Sequence, residues 1–484
     1  MKRIILSITL LLLFLLQSIP VYSFQSRIVQ LNYYKYDKEI VCSSLSRYII
    51  TYRHRTNYSG VLHYFTVQDM ETNTTKIIPL NAYYTGGISL NYTDITINDM
   101  KATDNGECWF CGMKSTESAG ISPYLPTVSK CGFIGHFSIN DVISGSGTYE
   151  ICLIRGTENL TKIEPRGDYQ QLFLVGYREN SAIDPYGNPI SSCIVGYDPY
   201  GSHKYDIAYP LNLDEIISDV TTVGVGVVFS SYYLYDHYHI GLRHVKNGPI
   251  REDFNLETLG RSNKYDILTA IPISSSILPP WREYQDPVIL SSSLSSNIIS
   301  MAHSCSNNYY GVATYKLYMY GNGDARISKA RLINTPSYCK LCDLKVSSDN
   351  ITYYLTEDAT LNQCILHETD WNSYTFGMKY TSRYCNRNDY IWQSIIDYDS
   401  VHTYLYISGH KPNGSPIYAA YRNVNSIIAP CIPRTNHNLI ELDTPTFTSG
   451  SSMALDPIYN NYSADVYTGT FTSTTVTPFF LCHT

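Results

Sequence analysis

The feature that most constrains this chain is a loosely repeated unit of short apolar runs joined by turns. Most units have a β-branched or aromatic run, a tight turn, a second run ending near Gly or Ser, and a third run beyond a loop. Six or seven such units start roughly 45 to 75 residues apart, which is near the period of about 40 to 50 residues for a propeller blade. Such units cannot bury both faces alone. The sequence therefore predicts an all-β, β-propeller-like array of six or seven blade units.

The pattern leaves one other architecture open and predicts a few local features. Two β-sandwich domains, split near ILPPW at 277–281, also fit turn signals spaced about 8 to 12 residues apart. As one domain, the mature chain would cover 24–484 with an insertion at about 247–296. Helical spacing of apolar residues predicts a short helix at 211–220. The strand-like stretch 464–484 is expected to complete the first blade and close the ring.

The N-terminus has the pattern of a secretory signal peptide over residues 1–23. Lys2 and Arg3 precede an apolar run, and Val21 and Ser23 fit the small-residue pattern before a cleavage site. The apolar run is shorter than the roughly 20 residues that a membrane span needs. We therefore predict cleavage after Ser23 and a secreted protein, extracellular or periplasmic, with no membrane span.

The charge balance argues against one class of partner. The chain has 35 Lys and Arg against 42 Asp and Glu, with a net charge of −7 and no basic block. A nucleic-acid-binding protein would show a clustered basic surface, so no nucleic-acid partner is expected. Polarity is carried instead by Ser, Thr, Asn and 46 Tyr. Tyr favours strands and presents an apolar body with a polar tip, which agrees with an all-β fold.

Two Cys-x-x-Cys pairs, Cys108 with Cys111 and Cys339 with Cys342, raise the question of a zinc or redox site. Two such pairs close together in sequence would be a strong zinc signal, but here more than two hundred residues separate them. A thioredoxin-like centre would need a helix N-terminus to lower the thiol pKa, and none is predicted at either pair. We therefore predict no metal site and no cofactor.

The motif CWFCG follows an Asp-Asn-Gly turn signal at 104–106, which predicts that it lies on the returning strand of a hairpin. Side chains alternate along a strand, so Cys108 and Phe110 should face one way and Trp109 and Cys111 the other. The two cysteines would then be roughly 10 Å apart, beyond the limit of about 7 Å for a disulfide. They are predicted to be structural.

The thirteen cysteines are too few for a disulfide-dense scaffold, and their odd number leaves at least one thiol unpaired in a monomer. Two pairings are candidates in an exported chain. Cys42 and Cys482 would meet where the ring closes. Cys131, beyond the loop of the CWFCG unit, is a candidate partner for Cys108 or Cys111.

Catalytic signatures are weak. The chain has no Gly-x-Ser-x-Gly elbow, no His-Glu-x-x-His motif and no phosphate-binding loop. Asp99, Asp219, Asp343 and Asp397 recur near the first strand of a unit, which is more typical of turn chemistry within blades than of a catalytic carboxylate pair. No catalytic residue is predicted.

One unit, INDMKATDNGECWFCG followed by GFIGHFSIND, carries a recognisable pattern. Its defining residues are Ile97, Asp99, Met100, Phe110, Cys111, Gly112, Gly132, Ile134, Gly135 and Phe137. This pattern resembles one found in secreted proteins of gut bacteria that are similar to β-propellers and mostly lack an assigned function. The resemblance implies the fold and secretion, and it implies nothing about activity.

Aromatic residues in turn-like sequence are the remaining candidates for a binding site. Tyr235, Tyr238, Trp281 and Tyr309 would present rigid, amphipathic rings that stack on sugars or anchor protein partners. We therefore predict a secreted, non-catalytic protein that binds a glycan or an extracellular protein through its loops.

Two other functions stay open. One is a carbohydrate-active hydrolase or lyase on the same scaffold, and the other is a structural or adhesive surface component. A buried cluster of carboxylates converging on the central channel would favour the enzyme. An exposed aromatic platform without such a cluster would favour the binding protein.

Overall fold

The structure is a computed structural model that describes residues 27–483 apart from gaps between the strands. The longest gaps are 81–94, 116–129, 179–190, 264–288 and 423–433. The described part consists of strands β1 to β35 and one short helix, α1 (Ile139–Ser144). No helix in this part of the chain is both long and apolar enough to cross a membrane.

The strands of the described part form seven five-stranded antiparallel sheets, numbered here in chain order. Sheet 1 contains β2 (Lys38–Ser44), β3 (Tyr48–Asn57), β4 (Gly60–Asp69), β5 (Thr74–Pro79) and β34 (Thr474–Val476). Sheet 2 contains β6 (Ile95–Ala102), β7 (Glu107–Ser115), β8 (Lys130–Ser138), β9 (Ser146–Ile154) and β33 (Asp465–Thr472). Sheet 3 contains β10 (Thr157–Pro165), β11 (Leu172–Arg178), β12 (Ser192–Tyr197), β13 (Tyr205–Pro210) and β32 (Leu455–Ile458).

The other four sheets repeat this plan. Sheet 4 contains β14 (Glu215–Val223), β15 (Gly226–Tyr233), β16 (His239–Val245), β17 (Leu256–Asn263) and β31 (Phe447–Thr448). Sheet 5 contains β18 (Ile289–Ser292), β19 (Ile298–Cys305), β20 (Tyr309–Met319), β21 (Ala325–Asn334) and β30 (Glu441–Leu442). Sheet 6 contains β22 (Cys339–Val346), β23 (Ile351–Asp358), β24 (Gln363–Trp371), β25 (Met378–Asn386) and β29 (Arg434–Thr435). Sheet 7 contains β26 (Ile391–Asp399), β27 (Tyr404–His410), β28 (Pro416–Arg422), β1 (Arg27–Gln30) and β35 (Phe479–His483).

The first strands of successive sheets lie against one another in a closed circuit. β2 contacts β6, the contacts continue through β10, β14, β18 and β22 to β26, and β26 contacts β2. The first strand of each sheet is therefore nearest the axis and the fifth strand is at the periphery, which is a propeller arrangement. The predicted all-β, propeller-like fold is confirmed, and two β-sandwich domains are not observed.

Both ends of the described chain complete sheets. β1 lies between β28 and β35 in sheet 7, so an N-terminal strand closes the last sheet. The seven described strands within residues 434–483, β29 to β35, lie at the edges of the sheets in reverse order and add one strand each to sheets 6, 5, 4, 3, 2, 1 and finally 7. We call these strands the outer belt. The stretch 464–484 does reach the first sheet through β34, but the ring closes through β1 and β28.

Five of the first strands share a β-bulge at the same place. The register shifts immediately before Asp99, Lys162, Asp219, Asp343 and Ser394. A bulge bends the strand and re-aims the side chain that follows it. These five residues are therefore placed alike on five strands that surround one axis.

The second strand passes very close to the bulge, and glycine is what allows it. A Cβ atom added to Gly112 would lie 1.9 Å from the carbonyl oxygen of Thr96. Gly176 and Gly409 occupy the same place in sheets 3 and 7, where an added Cβ would lie 2.0 and 2.1 Å from first-strand carbonyl oxygens. The glycine of CWFCG thus marks the point where the first two strands of a sheet approach each other.

The side chains of CWFCG enter two different cores. Cys108 and Phe110 pack in the hydrophobic cluster between sheets 1 and 2, whereas Trp109 and Cys111 pack in the cluster between sheets 2 and 3. The turn at 104–106 joins β6 to β7, with a backbone hydrogen bond across it. The predicted hairpin and the predicted alternation of side chains are both confirmed.

The helix predicted at 211–220 is wrong where the structure describes it, because residues 215–220 lie in β14; residues 211–214 lie outside the described residues. The apolar residues Ile216, Ile217 and Val220 of this strand are all buried. A strand covered on both faces buries consecutive residues, so helix-like spacing of apolar residues carries no information there.

Candidate functional site

Charged side chains from four first strands converge at the axis of the ring. They are Asp99 and Lys101 on β6, Lys162 and Glu164 on β10, Asp219 on β14, and Asp343 and Lys345 on β22. Residues two apart on a strand point the same way, and the bulges place these pairs alike in their sheets. We call these seven residues the axial cluster.

Lys162 interacts with carboxylates from three other sheets. Asp219 of sheet 4 does most to raise the pKa of this ammonium, burial and Lys101 oppose the shift, and Asp99 of sheet 2 and Asp343 of sheet 6 add to it. Sheets 2, 4 and 6 are spread around the ring, so their carboxylates can act together on one lysine only by facing a shared axial space.

Lys101 and Glu164 form the clearest ion pair of the axial cluster. The Nζ atom of Lys101 lies 3.3 Å from Oε2 of Glu164, and Oε1 of Glu164 accepts a hydrogen bond of 3.2 Å from the Thr222 hydroxyl. Glu164 does most to raise the pKa of Lys101, burial opposes it, and Asp99 and Asp219 add to it. The Lys101 side chain is nevertheless 37% exposed, so water reaches the axial space.

The carboxyl group of Asp343 is held at the axis by two backbone N–H groups. Its Oδ1 accepts the Leu344 N–H at 2.8 Å, and its Oδ2 accepts the Ile395 N–H of the next sheet at 2.7 Å. Burial raises the pKa of this carboxyl, although the two N–H groups, Lys162 and Lys345 favour the charged form. A carboxyl with a raised pKa retains its proton at a higher pH than an ordinary Asp and can donate it to a leaving group.

The other recurring acids resemble Asp343 in part. Oδ2 of Asp99 accepts the Ile163 N–H of the next sheet at 3.0 Å, which is the same type of inter-sheet contact. Asp219 is 5% exposed. Asp397 lies on β26, where Ser394 takes the position after the matching bulge. The contact of Asp99 supports a structural role for that residue between sheets 2 and 3. In the part of the chain that the structure describes, no three or more His, Cys, Asp or Glu side chains form a metal-binding group.

The lysines of the axial cluster were missed by the sequence analysis, although a local signal is present. Asp99 and Asp343 are each followed two positions later by a lysine, and in sheet 3 the order is reversed, with Lys162 followed by Glu164. Opposite charges two apart inside an otherwise apolar strand are costly unless they are paired or reach water. That pattern could have indicated an axial charge cluster.

The aromatic residues predicted to bind a ligand lie largely outside the described residues. This applies to Tyr235, Tyr238 and Trp281. Tyr309 is the first residue of β20, and its side chain is outside the described part. The aromatic binding site stays a prediction.

The predicted disulfides are not formed. None of the eight cysteines whose side chains are described has a disulfide bond. Cys42 lies on β2 nearest the axis, whereas Cys482 lies on β35 at the periphery of sheet 7, so a bond across the ring closure is not formed. Cys131 lies three positions along the β7–β8 ladder from Cys111 and six from Cys108. Those offsets correspond to about 10 and 20 Å, beyond the bridging limit.

Comparison with known proteins gives structural likenesses only. No family model and no curated protein matches the sequence, so the resemblance to proteins of gut bacteria has no support from these comparisons. Acylaminoacyl peptidase from Pyrococcus horikoshii matches with a TM-score of 0.42 and 11% identity, over 80% of this chain and 51% of that one. The β-propeller domain of the Trilobed protease from Pyrococcus furiosus matches at 0.37 and 9%, over 83% and 96%. The polysaccharide lyase Uly1 matches at 0.39 and 9%, over 80% and 90%. This chain therefore spans about half the length of the acylaminoacyl peptidase.

The prediction of a non-catalytic binding protein is corrected by these findings. The three solved structures named above are two enzymes and one domain of a protease. The chain's own residues agree with the correction, because acids and lysines converge at its axis, the feature that favours the enzyme alternative. These likenesses give no residue-level information about this chain.

Proposed function

We propose that this chain is a carbohydrate-active hydrolase or lyase that acts at the axial cluster. The observation that carries the proposal is the axial cluster, in which Lys101 pairs with Glu164 at 3.3 Å and Asp343 accepts the Ile395 N–H at 2.7 Å; burial also raises the pKa of Asp343. Each of the seven sheets would be one blade of the scaffold. The N-terminal signal pattern supports a secreted enzyme that meets its polymer outside the cell.

The axial cluster offers the groups that both reactions need. Asp343 would protonate the leaving glycosidic oxygen, and Asp219, which interacts electrostatically with Lys162, would activate water or remove a sugar proton. Lys101 and Lys162 would stabilise negative charge as it develops on the substrate. A hydrolase and a lyase share this acid–base plan and differ in whether water enters the product.

The test is a cleavage screen with the purified protein. Neutral and uronate-containing polysaccharides are incubated with the wild type, and new reducing ends are measured together with absorbance from unsaturated sugar products. Reducing ends alone indicate hydrolysis, and unsaturated ends indicate elimination. Peptide substrates form a third arm, and cleavage of peptides without cleavage of any polysaccharide would overturn the proposed substrate class.

The matched variants are Asp343→Asn and Asp370→Asn, which make the same chemical change at the axis and at an exposed position of β24. Removing a general acid lowers the reaction rate by about 100-fold or more. The cleavage rate of Asp343→Asn should therefore fall by at least this factor, while Asp370→Asn keeps the wild-type rate. Equal rates for the two variants would exclude Asp343 as the proton donor.

A further inference from the structure

Cys42 and Cys108 are buried together between sheets 1 and 2. They are 6% and 0% exposed, and both belong to the hydrophobic cluster that joins the two sheets. We infer that they form an inter-sheet disulfide when the chain folds in an oxidising compartment. This pairing differs from the two that the sequence suggested, and it is independent of the proposed catalysis.

A separate set of contacts brings the two strands together at this point. Ser44, two residues after Cys42 and on the same face of β2, donates a hydrogen bond of 2.9 Å from its hydroxyl to the Thr103 carbonyl. Thr103 in turn donates from its N–H to the Glu107 carbonyl at 2.9 Å, and Glu107 directly precedes Cys108. The end of β2 is thus fixed against the start of β7 by bonds that do not involve either thiol.

The two thiols face the same core. Cys42 lies on β2 of sheet 1 and Cys108 on β7 of sheet 2, and both side chains are buried in the cluster that joins these sheets. Other buried thiols in the described part face backbone instead: Cys364 donates to the Trp392 carbonyl at 3.8 Å. Cys42 and Cys108 therefore share one apolar core, and the Ser44 hydrogen bond holds the ends of their strands together.

The reaction is a thiol–disulfide exchange with a low-molecular-weight disulfide such as oxidised glutathione. One cysteine thiolate attacks the small disulfide and releases one small thiolate, and the second cysteine then displaces the other. The protein pair loses two hydrogens and two electrons, and two molecules of reduced small thiol leave with the protons.

Burial decides when this exchange can happen. Burial, above all, raises the pKa of Cys108, and the contact with Cys42 adds to the shift. Since the thiolate is the reactive form, the pair is protected from reagents once the two sheets have packed. The bond should therefore form during folding and resist both formation and reduction in the folded protein.

The experiment compares full-length protein refolded with reduced and oxidised glutathione against protein refolded with reductant alone. After unfolding in the presence of an alkylating reagent, peptide mapping should show Cys42 joined to Cys108 in the first sample and both alkylated in the second. Cys364 should be alkylated in both. The joined protein should also unfold at a higher temperature than its reduced form.

Two variants keep the test decisive. In Cys42→Ala, Cys108 should be recovered alkylated, and the redox buffer should no longer change the unfolding temperature. Cys364→Ala should retain both the joined peptide and the temperature shift. Quantitative alkylation of Cys42 and Cys108 after oxidative refolding, or a bond from either one to another cysteine, would overturn the inference.

Discussion

Gly112 shows how a single residue fixes the course of two strands. Its backbone runs in the β6–β7 ladder where β6 bulges, and an added Cβ would lie 1.9 Å from the Thr96 carbonyl oxygen. Neither strand can withdraw without breaking its ladder. Gly112→Ala should therefore destabilise the fold by about 3 kcal/mol or more, measured by chemical denaturation.

Thr96→Ala is the control, because it shortens the exposed side chain of the residue that supplies the carbonyl and leaves the carbonyl in place. Its effect should stay within about 0.5 kcal/mol. A Gly112→Ala protein as stable as the control would show that the two strands are not held so closely.

Asp343 makes stability depend on pH in a defined direction. Its pKa is raised above the ordinary value of 3.8, chiefly by burial, so the folded state binds this proton more tightly than the unfolded chain does. The contribution of Asp343 to the free energy of unfolding is therefore greatest below its pKa in the unfolded chain, and it declines as pH rises toward its pKa in the folded protein. The free energy of unfolding of the wild type minus that of Asp343→Asn should fall across this window. A difference that rises with pH, or one matched by Asp370→Asn, would contradict the assignment.

The residue scale also shows what local sequence can and cannot predict. The turn at 104–106 and the alternation along CWFCG were predictable because both depend on neighbouring residues only. The shared burial of Cys42 and Cys108 was not, since it depends on which strands of different sheets face each other. The axial cluster has the same limitation: its members come from strands more than 50 residues apart in places.

At the scale of elements, the turn between β4 and β5 is held by one carboxylate. Asp69 accepts two hydrogen bonds from the Arg47 guanidinium at 3.0 and 2.7 Å, one from the Glu71 N–H at 2.9 Å and one from the Thr72 hydroxyl at 2.9 Å. Burial would raise the pKa of Asp69, but these partners outweigh it and lower the pKa.

Asp69→Asn should therefore destabilise the protein by about 1 to 3 kcal/mol at neutral pH. The stabilisation by the charged Asp69 is present above its pKa in the unfolded chain and is lost as pH falls toward its lower pKa in the folded protein. The stabilities of the variant and the wild type should therefore converge in acid. Denaturation at several pH values measures this, with exposed Asp349→Asn as the control. An effect that is constant with pH would mean that the charge of Asp69 is not what holds the turn.

Elements were predicted well where turn residues bound them and poorly where burial covers both faces. The spacing of apolar residues predicts a helix at β14 wrongly, because Ile216, Ile217 and Val220 are all buried and two-residue alternation disappears. The strands of the outer belt give no periodic signal either, because β29, β30 and β31 have two residues each. These three strands form only because each pairs with the edge strand of a neighbouring sheet.

At the scale of the whole molecule, the outer belt covers an edge of every sheet. Exposed sheet edges pair with other chains, and a belt that adds one strand to each of the seven sheets blocks this. Deletion of 434–484 should lower the unfolding temperature and produce oligomers, measured by scanning calorimetry and by light scattering after size exclusion. A truncated protein that stays monomeric at an unchanged unfolding temperature would show that the belt is dispensable.

A point variant tests the belt without removing it. Phe471 on β33 is 4% exposed and stacks on Tyr149 with ring centroids 6.4 Å apart. Phe471→Ala should lower the free energy of unfolding by about 3 to 5 kcal/mol. Thr470 is the exposed neighbour, and Thr470→Ala should leave the free energy of unfolding almost unchanged. Equal stability of the two variants would mean that β33 is not packed on sheet 2.

The ring itself was predictable from the repeated units, because each unit supplies one sheet that needs neighbours on both faces. The path of the belt and the closure through β1 were not, since both depend on pairing between the two ends of the chain.

Catalysis at the axial cluster is tested most directly by mass spectrometry of polysaccharide products formed in water labelled with heavy oxygen. Wild type and Asp370→Asn should yield the same cleaved products, with solvent oxygen at the new reducing end if the reaction is hydrolysis and without it if the reaction is elimination. Asp343→Asn should yield about 100-fold less of either product. Products from Asp343→Asn at the wild-type rate, or no cleavage by the wild type, would contradict catalysis at the axis.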